Sequence, residues 1–313
     1  MNYRPLFSVL ALLFPVFAWC TSSLACSPIP QPSYNASTYY QSTNGLSGAA
    51  LKPALNLVIR DHQDYSYTPC MWDMLRQADE DPNDANSVIA YYTQRSILKA
   101  NRDQGGNTPD YWNREHIWPN SHGFSSREQH AYRDGHALVA CDKSVNADRG
   151  SKDFAEGGSP HLECTACNQT ASTWEPPDDL KGDTARMMFY MDVRYEGGDD
   201  SGVPDLSLVD NLTSSGQPQM GDLCDLVQWH VDDPVSTRET LRNDVIYSWQ
   251  GNRNPFVDHP DFALHIWGPQ CGFSIPDPVI EPEQVPNPYW MMLVLGPIIL
   301  LLGFWSKKRH FKL

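Results

Sequence analysis

A chain of 313 residues can bury a full-sized core and has room for one or two domains. Its formal net charge of −15 argues against broad attraction to a polyanion, because neutralising phosphates needs cations. Net charge does not forbid a locally basic site. The imbalance is concentrated: all 38 Asp and Glu lie between the two terminal segments, whose removal leaves a body of about −20. Such a body is predicted to bind nucleic acid weakly without specific contacts, and to need divalent ions if it binds any.

The first 25 residues carry Arg4, an apolar run over 6–19, and then Ser22-Ser23-Leu24-Ala25. That layout is a secretory signal peptide and is set aside from the fold. Cleavage after Ala25 leaves Cys26 at the mature N-terminus, either as a lipid acceptor or as half of a disulfide. The second reading is preferred, since Ser23 stands where lipoprotein signals usually carry Leu.

From residue 35 to 100 the pattern is mostly helical, with Ala49, Leu51, Ala54, Leu55 and Leu57 close to helical spacing. Asp79-Glu80-Asp81-Pro82 reads as a turn and residues 88–92 as a short strand. Residues 101–110 form a polar, Gly-bearing loop. Residues 112–118 are predicted extended, leading into Pro119, and residues 135–140 make a second short strand. Asp142 stands at the N-cap position of a short helix over 143–148. Residues 150–177, rich in Gly, Ser and Cys, read as irregular. Helices follow at 180–195, 222–230 and 235–250, the last two separated at Asp233-Pro234. No internal repeat is present. The predicted class is α+β: one mostly helical domain over 26–273, around a small strand–strand–helix unit.

Residues 274–288 carry five prolines and read as a stiff, extended linker. Residues 289–305 are 17 in number and uncharged, and Lys307, Lys308, Arg309 and Lys312 follow. The run reaches the lower limit for a membrane-spanning helix, with the cations on the cytoplasmic side. With Val285-Pro286-Asn287-Pro288 before it, it also resembles C-terminal sorting signals that are cut off after export. A membrane anchor and a transient sorting segment stand as equal alternatives. Either places the body outside the cytoplasm: periplasmic, on the cell surface or extracellular.

Of the eight cysteines, Cys20 lies in the signal peptide. Cys26, Cys70, Cys141, Cys164, Cys167, Cys224 and Cys271 remain, and disulfides are the default in an oxidising compartment. Cys164-Thr165-Ala166-Cys167 has no matching second pair, so it is a weak zinc signal. The pairing is not legible.

The chemistry-bearing segment is Asn113-Arg114-Glu115-His116-Ile117-Trp118-Pro119, followed by Asp134-Gly135-His136 and Asn146-Ala147-Asp148-Arg149-Gly150. Phosphodiester hydrolysis needs a base to deprotonate water and positive charge on the phosphoryl and leaving oxygens. A neutral His suits the first task. A hard cation on one carboxylate and one amide oxygen suits the second, with positions left for water and phosphate. Adjacent side chains on a strand face opposite ways, so Glu115 and His116 share a site only if the strand kinks or ends there. Arg149, three residues after Asn146, shares its helix face and could hold a phosphate oxygen. Asp134 and His136 are predicted on one strand face, where they could orient the base or an outer water.

In order, these blocks resemble the core of the bacterial endonuclease I family, exported non-specific nucleases of the His-Me finger (ββα-metal) type. Lys181-Gly182-Asp183, Ala185-Arg186, Tyr190-Met191 and Arg194-Tyr195 are similar to the family's next block. Arg242-Asn243-Asp244-Val245-Ile246-Tyr247, the run Gln250-Gly251-Asn252-Arg253-Asn254-Pro255-Phe256, and Asp258-His259-Pro260 are similar to its closing block. The resemblance covers roughly residues 39–267 and implies a metal-dependent endonuclease acting on DNA, and on RNA as well, as a monomer leaving 5′-phosphate ends. It assigns His116 as general base. It assigns Glu115 and Asn146 as ligands of one ion, usually Mg²⁺, with Ca²⁺ and Mn²⁺ as alternatives. Asp258-His259-Pro260 reads as a structural turn. Lys181 and Arg186 either touch DNA or pair with the acidic surface. The chain departs from the family at Ala137, at residues 138–142 and in a cysteine-bearing insert over 157–173. The phosphate clamp is left among Arg127, Arg133 and Arg149. Two rivals remain: a zinc hydrolase using several of His116, His122, His130 and His136, and an idle surface-anchored binding protein that kept the fold.

Overall fold

The computed structural model describes residues 26–275, apart from Asn107 and Pro109. The signal peptide, nearly all of the proline-rich linker and the C-terminal apolar segment lie outside these residues. No helix among the described residues is long and apolar enough to cross a membrane.

The chain begins with three helices, α1 (Ala36–Tyr39), α2 (Leu51–Ile59) and α3 (Cys70–Ala78). A three-stranded antiparallel sheet of β1 (Glu80–Asp81), β2 (Asp84–Ile89) and β3 (Ser96–Leu98) follows. The sequence showed only one strand there, and shifted toward its end. These strands are too short to display a period-2 pattern, and β2 opens on the polar Asp84-Ala85-Asn86-Ser87.

The predicted strand–strand–helix unit is present. Strands β4 (Trp112–His116) and β5 (Leu138–Asp142) pair antiparallel, with Glu115 opposite Val139 and His116 opposite Leu138. Helix α4 (Lys143–Arg149) follows directly. Every residue of β5 is buried because the strand is covered on both faces. Leu138 and Ala140 pack with α3, Trp112, Ile246 and Trp249, while Val139 and Cys141 join the main core. Asp142 holds the N-cap position without a side-chain cap. Its carboxylate is instead taken by Thr93 and Arg95.

The predicted irregular stretch contains a small four-stranded sheet: β6 (Asp153–Phe154), β7 (Ser159–Pro160), β8 (Asn168–Gln169) and β9 (Thr173–Glu175). Helix α5 (Lys181–Arg194) comes next and is buried along nearly its whole length, forming the axis of the main core. A parallel pair, β10 (Ser207–Leu208) and β11 (Gln219–Met220), leads to α6 (Leu223–Asp232) and α7 (Thr237–Gln250). The break between these helices falls at Asp233-Pro234 as predicted. Ser236 and Glu239 then form a reciprocal capping box that starts α7. Short helices α8 (Pro255–Asp258) and α9 (Asp261–Trp267) close the domain, with Trp267 stacked on Phe189 of α5.

Three disulfides join Cys26 to Cys70, Cys164 to Cys167 and Cys224 to Cys271, while Cys141 is free and buried. The thiol a lipid would occupy on Cys26 is therefore in a bond to α3. Cys164-Thr165-Ala166-Cys167 closes on itself at the turn between β7 and β8, which leaves neither thiolate for zinc.

Candidate active site

Strand β4 ends at His116, and the chain turns away through Ile117, Trp118 and Pro119. Ile117 and Trp118 are fully buried, and the Trp118 indole N–H donates to the His122 carbonyl at 2.8 Å. This anchors the strand end over a polar cleft of about 300 Å³ whose wall includes Glu115, His116, Asn146, Asn113 and Gly150. Gly150 caps α4 with φ +58°, in the left-handed region that a Cβ disfavours.

The His116 imidazole is fixed at one nitrogen. Its Nε2 lies 2.9 Å from the Tyr132 carbonyl oxygen, which can only accept, so Nε2 carries the proton and Nδ1 holds the lone pair. Tyr67 stacks against the ring and Tyr132 meets it edge-on. Burial lowers the imidazole to about 4, helped by the nearby charges of Arg114 and Arg149 and opposed by the Tyr132 carbonyl. The ring is neutral at physiological pH, as a proton acceptor must be.

Glu115 is 2 % exposed. Burial pushes its carboxyl up to about 7, against the pull of Arg149 and the Tyr92 hydroxyl. Both of those contacts converge on Oε1, at 3.1 Å from Tyr92 Oη and 3.3 Å from Arg149 Nη1. Oε2 has no hydrogen-bonding partner among the described residues. Asn146, on α4, donates its amide Nδ2 to Asn113 Oδ1 at 2.8 Å, which turns its carbonyl oxygen Oδ1 away from that contact. One carboxylate oxygen and one amide oxygen are thus left for the cleft, a donor pair that fits a hard divalent cation.

Arg149 is wholly buried. It donates to the carbonyls of His116 at 3.0 Å and Ile117 at 2.6 Å, and lies over the Phe154 ring. It props the strand end from behind and is absent from the cleft wall. Asp134 and His136 lie before β5, not on it, and face the opposite side. Asp134 accepts from Tyr190, Tyr195 and Gln250, and from its own turn at the His136 N–H. Burial works against its charge, but the His62 and His136 rings and its donors hold it well below the usual carboxylate range. His136 Nε2 meets the Asn252 carbonyl at 3.1 Å. This pair ties β5 to α5 and α7 and does not touch His116. Arg133 is paired with Asp64, at 2.5 Å, and Arg127 is exposed beside Tyr67.

Lys181 and Arg186 are fully engaged within the protein. Lys181 bridges Glu156, Glu175 and Asp178, and buried Arg186 forks onto Glu239. The four imidazoles of the zinc reading are dispersed: His122 meets the Gln219 carbonyl, His130 sits near Asp64, and His116 and His136 lie as described. No group of three or more His, Cys, Asp or Glu that could hold a metal is found among the described residues. Asn113 lay in the segment but was given no role, and Tyr67, Tyr92 and Tyr132 escaped the sequence. Asn113 stands two before Glu115, on the same strand face, so period-2 spacing could have found it. Tyr92 arrives from the loop after β2, and no local pattern pointed to it.

The family model for endonuclease I matches residues 47–261. An extracellular ribonuclease of Bacillus amyloliquefaciens is 45% identical over 242 residues, covering 77% of this chain and 82% of that protein. An extracellular ribonuclease of Bacillus subtilis (strain 168) is 43% identical over 249 residues, covering 79% and 84%. The blocks that carried the resemblance all fall inside the matched region. This chain belongs to the endonuclease I family and is a nucleic-acid hydrolase.

Proposed function

We propose that this chain is an exported, divalent-metal-dependent endonuclease that hydrolyses phosphodiester bonds of RNA and DNA with little sequence specificity. The observation that carries this reading is the shared cleft: His116, whose Nδ1 the Tyr132 contact leaves free, lines it together with Glu115 and Asn146.

His116 Nδ1 takes a proton from a water aimed at phosphorus. The Tyr132 carbonyl holds the ring in the required tautomer and stabilises the imidazolium that forms. Glu115 and Asn146 would hold the divalent ion, Mg²⁺ by preference, which when bound supplies charge neutralisation at the phosphoryl and leaving oxygens. With water as nucleophile, the 3′-oxygen leaves and the product carries a 5′-phosphate. Nothing in this set needs a ribose 2′-hydroxyl, so DNA and RNA are both suitable. RNA is favoured as a natural substrate by the two ribonuclease relatives. The disulfides and the extracellular relatives support export.

The test is digestion of plasmid DNA and of a structured RNA with Mg²⁺, with EDTA and with His116→Ala. Cleavage that needs Mg²⁺, yields 5′-phosphates and is lost in the variant is expected. A 2′,3′-cyclic phosphate product, or an undiminished His116→Ala enzyme, would sink the mechanism.

A further inference from the structure

In a chain this acidic, most of the described Lys and Arg side chains are paired with a carboxylate. Arg102, Arg114, Arg127, Lys152 and Arg238 are the described Lys and Arg side chains without an ion pair. Lys152 and Arg238 donate instead to the side-chain oxygens of Gln169 and Gln94. The other three gather around two aromatic rings at the edge of the catalytic cleft. The Arg114 guanidinium lies 3.5 Å from the centre of the Tyr67 ring and 4.0 Å from that of Trp72. Arg127 lies over Tyr67 at 5.5 Å and Arg102 over Trp72 at 5.4 Å. Arg114 directly precedes Glu115 on β4, and both Arg114 and Tyr67 form part of the cleft wall.

Three guanidinium groups thus gather here with no described carboxylate in ion-pair contact. Arg114 Nη1 is occupied by the Tyr67 carbonyl and Thr68 Oγ1, whereas its buried Nε finds no partner. A ring face supports a guanidinium without cancelling its charge, unlike a carboxylate. The arrangement therefore keeps positive charge available beside the cleft that holds Glu115, His116 and Asn146, in a molecule of strongly negative net charge.

We propose that Arg102, Arg114 and Arg127, carried on the rings of Tyr67 and Trp72, form a subsite that grips the phosphodiester backbone of the substrate strand to one side of the scissile bond. This rests on the nuclease reading of the cleft. It explains how an acidic body holds a polyanion: the contact is confined to a short row of arginines leading into Glu115 and His116.

Binding of a fluorescent single-stranded 12-mer to full-length protein carrying His116→Ala, in Mg²⁺, reads the subsite without turnover. Arg102→Gln with Arg127→Gln is the informative change, since neither side chain is deeply buried and a melting curve checks the fold. Affinity should fall about tenfold or more at low salt, and the log–log salt slope by about 0.7 for each arginine removed. An uncharged methylphosphonate 12-mer should bind both proteins alike. A double variant that keeps the affinity and the slope overturns the subsite. If the protein with native His116 cleaves neither RNA nor DNA, the nuclease mechanism itself falls, and the subsite with it.

Discussion

Tyr92 donates its hydroxyl proton to Glu115 Oε1 at 3.1 Å, and by taking that oxygen leaves Oε2 for the cleft. The bond fixes the carboxylate rotamer and favours its ionised form. Outer partners of this kind commonly change metal affinity by about 10–100-fold when removed. Tyr92→Phe keeps the ring in the core beside Trp174. The Mg²⁺ concentration for half-maximal activity should therefore rise about tenfold or more, with little change in kcat at saturating Mg²⁺. A Tyr92→Phe enzyme with an unaltered Mg²⁺ curve would remove Tyr92 from the site.

Asn146 provides a test of the ion that does not use turnover. A ligand that binds only the folded state raises stability by RT ln(1 + [L]/Kd), about 2.7 kcal/mol at a hundredfold excess over Kd. Mg²⁺ should thus raise the melting temperature of the native chain. Asn146→Ala loses one hydrogen bond to Asn113 and gains helix propensity on α4. Its metal-free melting temperature should stay near that of the native protein while the Mg²⁺ response vanishes. An equal response in both proteins would place the ion elsewhere.

Much of the site was legible because its residues are close in sequence. β4, β5 and α4 are contiguous apart from one loop, so local reasoning could outline the unit that carries Glu115, His116 and Asn146, while the roles of these residues came from the resemblance. What failed was long-range. Tyr92 reaches the site from a loop and Tyr132 from the single 3-10 turn His130–Arg133, and neither stretch carries a readable pattern. Arg149 and Asp134 looked available because a sequence does not reveal that carbonyls and tyrosines thirty to sixty residues away will claim them. The two-residue strands β6, β7 and β8 were unreadable for a related reason. They are held by cross-chain pairing and not by their own alternation.

Stability should fall as pH drops from about 6.5 to 4. His116, His136 and His230 are each lowered to about 4, burial being the largest cause in every case. Above pH 6.5 they are neutral both folded and unfolded and contribute no pH dependence. Between 6.5 and 4 the unfolded chain binds protons that the folded chain refuses, at a cost of up to about 3 kcal/mol for each imidazole. Glu115, raised to about 7, works the other way: the folded carboxyl takes up its proton first as pH falls from 7, which offsets part of the loss. His62, lowered to about 3 mainly by burial, adds a fourth imidazole to the loss, and Asp183 and Asp222, raised mainly by burial, add to the offset. The unfolded form of all four imidazoles titrates inside this window, so the urea midpoint should be lower at pH 4.5 than at pH 7. Equal midpoints would contradict the buried, neutral state of these rings.

Arg149 separates a phosphate clamp from a structural prop. An arginine that only contacted substrate could be replaced by Ala with a raised KM and an intact fold. This one is wholly buried, donates to the His116 and Ile117 carbonyls and pairs with Glu115 Oε1. Removing it leaves those carbonyls without their donor and the buried Glu115 carboxylate without its counter-charge, with only Tyr92 still donating to it, and loss of one member of a buried pair typically costs about 3–5 kcal/mol. Arg149→Ala should lower the urea midpoint strongly. Arg149→Lys should rescue it only in part, because an ammonium cannot reproduce the planar fork that spans two successive carbonyls. Glu115, deprived of this charge, should also titrate higher, so residual activity should shift to higher pH. An Arg149→Ala protein with native stability and only a raised KM would show that the side chain belongs to the substrate and not to the strand end it now supports.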